Sequence, residues 1–573
     1  MKLPRTRSYV PLYGLLAALM LVCPGVFAAT GNAPEAAARP RPGHAAIASA
    51  NHLATEAGFE VLAKGGNAYD AAVAVASTLA VVEPESSGLG GGFFAILHRA
   101  GDDKDVMLDA RETAPAAVSE SLYVTADGKP NRDTSLNGPL AAGIPGEPAG
   151  LVWMAEHYGK LPLKESLAPA IRIARDGFQP DSRFLADVKD REDVIRRYPA
   201  SSAKLLPGGK LPQAGWTLRQ PDLAQTLQRL AAHGTDDFYR GETARRMLEA
   251  VRAAGGDWTA QDLASYKVRL RTPLHIDYDG YDIVTVAPPS SGGVAMAEIF
   301  NVLSGYDLAG MDRVHRLHYV IEAMRRAFRD HNEYLGDPDF VKMPLDTLLS
   351  RQYAAGLRAS ILPDKATPSA MLPPAVAQDP GMHTTHFSII DADGNIVAAT
   401  LTVNTLFGSA FVPAGTGFVL NNEMDDFALV PGAPNAYGLI GNKANAPVGG
   451  KRMLSSMSPT IVFGKDRVCV LGSPGGSTII TQVLEGVMAF MDGQSAAGIV
   501  RQKRYHHQYL PDKVYYEPGA FDAGTMRALQ AMGYTLQQRD PWGDMNVVTW
   551  NLKTNTLDAA SDTRRPSGLG KVE

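Results

Sequence analysis

The stretch Thr384-Thr385-His386-Phe387-Ser388-Ile389-Ile390 places two hydroxyls at the head of an apparent β-strand, deep inside a 573-residue chain. Asp391-Ala392-Asp393-Gly394-Asn395 follows, then the apolar run Ile396 to Val403, and together they predict a β-hairpin. Thr460 to Phe463 and Arg467 to Leu471 repeat the plan around Gly464-Lys465-Asp466, and Ser477 to Met491 reads as a buried helix. Strands facing strands with helices outside predict an α/β fold, a four-layer αββα sandwich.

Working outward, Leu53 to Ala63 and Ala68 to Val81 read as helices separated by the stop-and-restart signal Gly65-Gly66-Asn67. Gly88-Leu89-Gly90-Gly91-Gly92-Phe93 lacks the third glycine and the preceding strand of a dinucleotide fingerprint. It is read instead as a turn feeding the strand Phe93 to His98. Residues 150 to 270 are mainly helical, with Leu151 to Tyr158, Leu223 to Ala232 and Gly241 to Ala254 the clearest. Pro288-Pro289-Ser290-Ser291-Gly292-Gly293 is a small-residue turn before an apolar helix. Pro363 to Pro380, rich in Pro and Ala without amphipathic period, reads as an exposed linker ending just before Thr384.

The N-terminus has its own character. Lys2, Arg5 and Arg7 precede the largely apolar Tyr9 to Val22, and Val26-Phe27-Ala28 offers small residues where a signal peptidase cuts. Residues 1–28 are therefore expected to be a signal peptide on an exported protein, periplasmic or secreted. An uncleaved anchor is disfavoured by Pro11, Gly14 and Pro24, and lipidation at Cys23 by the bulky Val22. Gly31 to His44 reads as a flexible arm. Loss of the leader's three positive charges would take the net charge from −5 to −8, which argues against a nucleic-acid surface. Only Cys469 would remain, within the apolar run Val468 to Leu471, so no internal disulfide is available.

Cys-x-x-Cys, His-Glu-x-x-His, P-loop and Gly-x-Ser-x-Gly patterns are all missing from the sequence. His506-His507 is read as structural, since adjacent side chains point in different directions. What remains is hydroxyl chemistry. Gly472-Ser473-Pro474-Gly475-Gly476-Ser477 is a glycine-rich turn opening a helix, with N–H groups able to face an anion. A threonine nucleophile works well at a chain terminus, where its own α-amine serves as base. Thr384 is internal as translated, so this reading requires a break between His383 and Thr384. Thr400 and Thr402 close the hairpin partner, and Ser455 and Ser456 precede the strand at Thr460.

Taken in order, Thr384 to Ser388, Asn421-Asn422-Glu423-Met424-Asp425-Asp426-Phe427, Leu454-Ser455-Ser456-Met457-Ser458-Pro459 and Gly472 to Ser477 closely resemble the gamma-glutamyltransferase family. Leu108-Asp109-Ala110-Arg111-Glu112-Thr113-Ala114-Pro115 and Pro288 to Gly293 match as well. The resemblance implies an N-terminal-nucleophile hydrolase sandwich formed jointly by two subunits of one precursor, a large one of residues 29–383 and a small one of 384–573. It implies action on glutathione and other γ-glutamyl compounds, with water, amino acids or dipeptides as acceptors and no metal or organic cofactor.

By the same resemblance Thr384 is the nucleophile, Thr402 assists maturation, and the N–H groups of Gly475 and Gly476 form an oxyanion hole. A γ-glutamyl group ends in a carboxylate and an ammonium. Arg111 can fork onto the first, with Ser455 and Ser456 donating, while Asn404, Glu423 and Asp426 can accept from the second. Residues Pro431 to Ala446 resemble a lid with Tyr437 as its closing residue, which favours small donors. Relatives specialised for poly-γ-glutamate or for a β-lactam side chain, and a non-processing homologue acting as a binding protein, are the competing readings. The family takes Gln or Glu at position 423, and Gly543 to Asn546 departs from its usual form.

Overall fold

The structure, a computed structural model, describes residues 40–372, 384–430, 432–441 and 443–573. The expected signal peptide, Cys23, most of the expected arm before Pro40, and residues 373–383 with the expected break after His383 lie outside the described residues.

The hairpin forms as its sequence dictates. Thr385–Ile390 pairs antiparallel with Ile396–Thr402. Gly394 takes the positive φ of the turn (+91°), while Asp391 Oδ1 accepts from Asp393 N and Asn395 N. Asp391 Oδ2 reaches further and accepts from Ala68 N at 2.9 Å. One turn carboxylate thereby ties the hairpin to the first turn of the helix Ala68–Val82, whose own start is a capping box between Asn67 and Asp70.

The hairpin occupies the middle of a seven-stranded sheet. Its order is Leu569–Val572, Ala46–Ser49, Thr385–Ile390, Ile396–Thr402, Gly92–Arg99, Lys104–Ala110, Arg269–Arg271. A six-stranded sheet lies against it, in the order Thr556–Ser561, Asn546–Asn551, Arg467–Gly472, Thr460–Phe463, Tyr281–Thr285, Leu274–Tyr278. Alternation along each strand separates two cores. Phe387, Ile389, Val397, Ala399 and Leu401 pack with residues of the helices His52–Ala63 and Ala68–Val82. Ile390, Ile396 and Ala398 share a second core with Ile461, Val462, Val470 and Val548 of the other sheet. The helices Gly292–Leu303, Arg313–Tyr334 and Ile479–Met491 join that second core. The layers are helix, sheet, sheet, helix, so the four-layer expectation stands.

Because both faces of the central strands are covered, their side chains are buried almost without exception, and each large apolar one contributes about 1.5–3 kcal/mol of transfer free energy. A polar seam crosses between the sheets. His386 Nδ1 lies 2.8 Å from Thr400 Oγ1 and its Nε2 3.1 Å from Ser388 Oγ. Asn546 Nδ2 donates to His386 O and Ser388 Oγ to Asn546 O. Burial pushes the His386 imidazole down to about 3, so it is neutral.

The turn at Gly88–Gly92 does feed a strand, Gly92–Arg99. A Cβ on Gly91 would stand 2.0 Å from Thr402 O, so the glycines permit backbone contact with the hairpin rather than phosphate binding. Cys469 is buried in its strand and its thiol is pushed up by desolvation. His506 and His507 are structural as expected: His506 Nδ1 meets Thr481 Oγ1 at 2.9 Å and His507 Nε2 meets Asp512 Oδ1 at 3.2 Å. Among the described residues no group of His, Cys, Asp and Glu could hold a metal ion.

One expectation needs correction. The described part of the 363–380 stretch is anchored rather than loose. Ala366 N donates to Met532 O at 2.8 Å, Ser369 N to Asp512 Oδ2 at 2.7 Å, and Ser369 Oγ to Tyr509 O at 2.7 Å. Ser369 is fully buried. Such polar tertiary ties leave no periodic trace in sequence, which is why the composition suggested a free linker.

Candidate active site

Thr384 stands one residue ahead of its strand, 3% exposed, with its Oγ1 3.5 Å from Thr402 Oγ1. The next hydroxyl faces away: Thr385 Oγ1 donates to Glu83 Oε2 at 3.0 Å, and Arg565 holds the same oxygen at 3.1 Å. The strand head is thus fixed on one side while Thr384 opens onto a cleft.

That cleft gathers Thr384, Thr402, Arg111, Asn404, Glu423, Asp426, Tyr437, Ser455, Ser456 and Gly476. Of the residues singled out in the sequence only Gly475 is elsewhere, lining a neighbouring cavity with Arg183, Trp542 and Arg565. Gly475 and Gly476 both have positive φ, +141° and +54°, and open the short turn Gly476–Thr478 before the helix Ile479–Met491.

The charged groups of the cleft converge on one guanidinium. Arg111 is 1% exposed; its Nη1 lies 2.7 Å from Glu423 Oε2, and its Nη2 donates to Asp426 Oδ2 at 2.6 Å. Glu112 is a third carboxylate, 3.6 Å from Nη1. The sequence reading assigned Arg111 to one end of a zwitterion and Glu423 and Asp426 to the other. The structure puts all three in direct contact, so the two signs form one dipolar cluster. Burial is the chief cause of the shifts here: Glu423 is pushed up to about 7, Glu112 to about 8, and Asp426 well above the usual carboxylate range. The Glu423 charge raises Asp426 further and the Glu112 charge raises Glu423, while Arg111 offsets part of both effects.

Asp425, next in the same turn, has a different task. It accepts from Arg132 Nη1 at 2.5 Å, Ser135 Oγ at 2.6 Å and Ala436 N at 2.7 Å, away from Arg111. Asn404 sits at φ +77°, an uncommon position for a non-glycine residue. Its N–H donates to Thr402 Oγ1 at 2.7 Å and its Nδ2 to Asn422 O at 2.9 Å. Ser455 Oγ accepts from Met457 N, and Ser456 is 8% exposed.

Residues 432–441 cover the cleft. Tyr437 OH donates to Asn404 O at 2.6 Å, and a Cβ on Gly476 would stand 2.2 Å from the Tyr437 ring. Glycine at 476 is what lets the aromatic lie against the turn. Asn435 Nδ2 reaches Asp426 Oδ1 at 3.3 Å and Asn445 Nδ2 the Asp426 carbonyl at 2.7 Å. Sequence reasoning missed these two asparagines and also His331, Asn332 and Leu335, which line the cleft from the helix Arg313–Tyr334 and just beyond it.

The αββα sandwich, with Thr384 at the head of a central strand, is the fold class of the N-terminal-nucleophile hydrolases. The model of the family described as gamma-glutamyltranspeptidase matches residues 54–572. The chain belongs to the gamma-glutamyltranspeptidase family. It is 42% identical over 539 residues to the glutathione hydrolase proenzyme of Pseudomonas sp. (strain A14), covering 91% of this chain and 93% of that one. It is 40% identical over 529 residues to the glutathione hydrolase proenzyme of Escherichia coli (strain K12), covering 91% of each. Among solved structures, the cephalosporin acylase from Bacillus halodurans superposes with a TM-score of 0.82 at 28% identity, over 95% of this chain and 99% of that one. The Helicobacter pylori gamma-glutamyltranspeptidase superposes with a TM-score of 0.55 at 38% identity, over 56% of this chain and 93% of that one.

Proposed function

We propose that this protein is a gamma-glutamyltransferase and glutathione hydrolase, made as a proenzyme and split between His383 and Thr384. The observation that carries the reading is the pairing, in one cleft, of Thr384 with the buried Arg111–Glu423–Asp426 cluster.

In maturation, Thr384 Oγ1 attacks the carbonyl carbon of His383. The peptide C–N bond breaks as the C–O ester bond forms, and the proton from Oγ1 passes to the freed Thr384 nitrogen. Water then opens the ester, restoring the hydroxyl and leaving a carboxylate on His383. The α-amine of Thr384 is the base for the next attack, on the γ-amide of the donor. Thr402, 3.5 Å away, orients the attacking oxygen. The N–H groups of Gly475 and Gly476 stabilise the tetrahedral oxyanion.

In the donor complex the substrate carboxylate and ammonium insert into the dipolar cluster. The carboxylate takes the Arg111 guanidinium with Ser455 and Ser456 donating, and the ammonium takes Glu423, Asp426 and the Asn404 side-chain carbonyl. Both signs are required, which disfavours β-lactam side chains that lack the ammonium. The lid at 432–441 closes over a small donor and disfavours a polymer. The γ-glutamyl group passes to water, an amino acid or a dipeptide. Residues 29–383 and 384–573 form the two subunits, and no cofactor enters any step. Among the described residues no helix is long and apolar enough to cross a membrane. The basic and apolar pattern of residues 1–28, read as a signal peptide, supports a periplasmic or secreted location.

The test is release of aniline from a γ-glutamyl anilide and of glutamate from glutathione by the purified protein. Turnover of a glutaryl amide, which lacks the ammonium, at an equal or higher rate would overturn the assignment.

A further inference from the structure

His331 is a cleft residue that γ-glutamyl recognition leaves unused. It stands near the end of the helix Arg313–Tyr334, 4% exposed, its ring against Phe328 with centroids 5.8 Å apart. Its Nδ1 lies 3.0 Å from Asn332 Oδ1. An amide oxygen only accepts, so this contact places the hydrogen on Nδ1 and leaves Nε2 with a bare lone pair. Nε2 is buried and meets no hydrogen-bond partner among the described residues. Desolvation pushes the imidazole down to about 4, so the ring is neutral.

A buried acceptor without a donor is costly and calls for a partner. The chemistry around it narrows what that partner is. Beside the charged groups Arg111, Glu423 and Asp426 and several Asn, Ser and Thr side chains, the lining has an apolar part made by Leu335, Leu439, Ile440, Met457 and Ile479. An occupant with an N–H donor and an apolar body satisfies both. In γ-glutamyl transfer such a molecule is already required: the amine that receives the acyl group, which reacts in its neutral form.

We infer that His331 Nε2 accepts a hydrogen bond from the attacking amine of an acceptor with an apolar side chain, making His331 a specificity-determining residue for transfer. The inference rests on the transferase reading above. In the transfer step the amine nitrogen bonds to the ester carbonyl carbon and the bond from that carbon to Thr384 Oγ1 breaks. One N–H proton of the amine ends on Oγ1, relayed by the Thr384 α-amine. A primary amine has a second N–H, and that one is held by His331, which takes no proton.

The experiment uses the matured two-chain protein, a γ-glutamyl anilide as donor, and L-methionine as acceptor. His331→Leu removes the acceptor atom; His331→Gln restores one on a side chain of similar reach. For His331→Leu the expected result is a roughly five- to tenfold rise in the KM for methionine, with kcat/KM for anilide hydrolysis within about twofold of wild type. His331→Gln is expected to recover most of the loss. If His331→Leu fails to mature, His331→Phe gives the same comparison. An unchanged methionine KM, or an equal fall of hydrolysis and transfer in these variants, would overturn the inference. Failure of the wild-type protein to release aniline at all would instead overturn the transferase reading, and this inference with it.

Discussion

Arg111 Nη1 and Glu423 Oε2, both buried, meet 2.7 Å apart, while Nη2 donates to Asp426 Oδ2 and to the Leu454 carbonyl and Nε to the Met453 carbonyl. The planar fork lets one cation face Glu423, Asp426 and Glu112 at once, and in the proposed donor complex it would also take the donor carboxylate. Lysine offers a point charge without that geometry. Arg111→Lys is expected to raise the donor KM roughly tenfold or more, with a smaller change in kcat, because the interaction precedes chemistry. Steady-state kinetics on a γ-glutamyl anilide measures it; unchanged donor KM would remove Arg111 from recognition.

The same cluster sets a pH dependence. Burial raises Glu423 to about 7, so it is largely neutral below that pH and ionised above it. A substrate ammonium needs the ionised form. Donor affinity should therefore rise as pH climbs from 6 to 8, and Glu423→Gln should flatten that rise. The groups facing Glu423 are Arg111, Glu112 and Asp426. Of these, Glu112, itself raised to about 8, would leave a residual slope. For stability the sign is opposite. A carboxyl whose pKa is raised by folding contributes fully below its unfolded value and loses that contribution as pH rises through 7. KM against pH and melting temperature against pH separate the two effects.

Tyr437 latches the cover over the cleft through one hydrogen bond to Asn404 O. Tyr437→Phe removes a neutral bond of about 1 kcal/mol and should raise donor KM several-fold while leaving maturation intact. Gly476→Ala is expected to be more severe, since its new Cβ would fall 2.2 Å from the Tyr437 ring at a φ of +54°. The latched position would be lost, and hydrogen exchange across residues 432–441 should increase.

Thr384→Ala should give one uncut, inactive chain on a denaturing gel. Thr402→Ala, which removes the hydroxyl facing Thr384, should slow the break by roughly tenfold or more without abolishing it. Two normal subunits from Thr384→Ala would refute the role of that residue.

The layered fold could be read because its elements are local. The turn Asp391 to Asn395, the glycine-rich turn at Gly472 and the apolar runs around them carry their structure within a few residues. The site could be read in part. Motif order brought together Thr384, Arg111, Glu423, Asp426, Ser455 and Ser456, and the cleft contains them all. That Arg111 pairs directly with Glu423 was not legible, since the contact spans more than three hundred residues and either partner alone suits a substrate. Composition alone does not separate Asp425 from Asp426; the family resemblance picked Asp426, and the fold turns Asp425 toward Arg132 and Ser135. His331 carries no motif, and on a helix with mixed polarity a lone histidine gives no sign that one ring nitrogen ends without a partner. The anchoring of Ala366 and Ser369 escaped for a related reason: backbone and hydroxyl ties to distant chain leave no hydrophobic period.

The central claim is that an internal threonine becomes an amino terminus. N-terminal sequencing and intact mass of the purified protein address it directly. Scaling 61.1 kDa by residue count gives chains of roughly 38 and 20 kDa, and the smaller should begin Thr384-Thr385-His386. An unbroken chain that still hydrolyses glutathione, or a smaller chain beginning at any other residue, would contradict it.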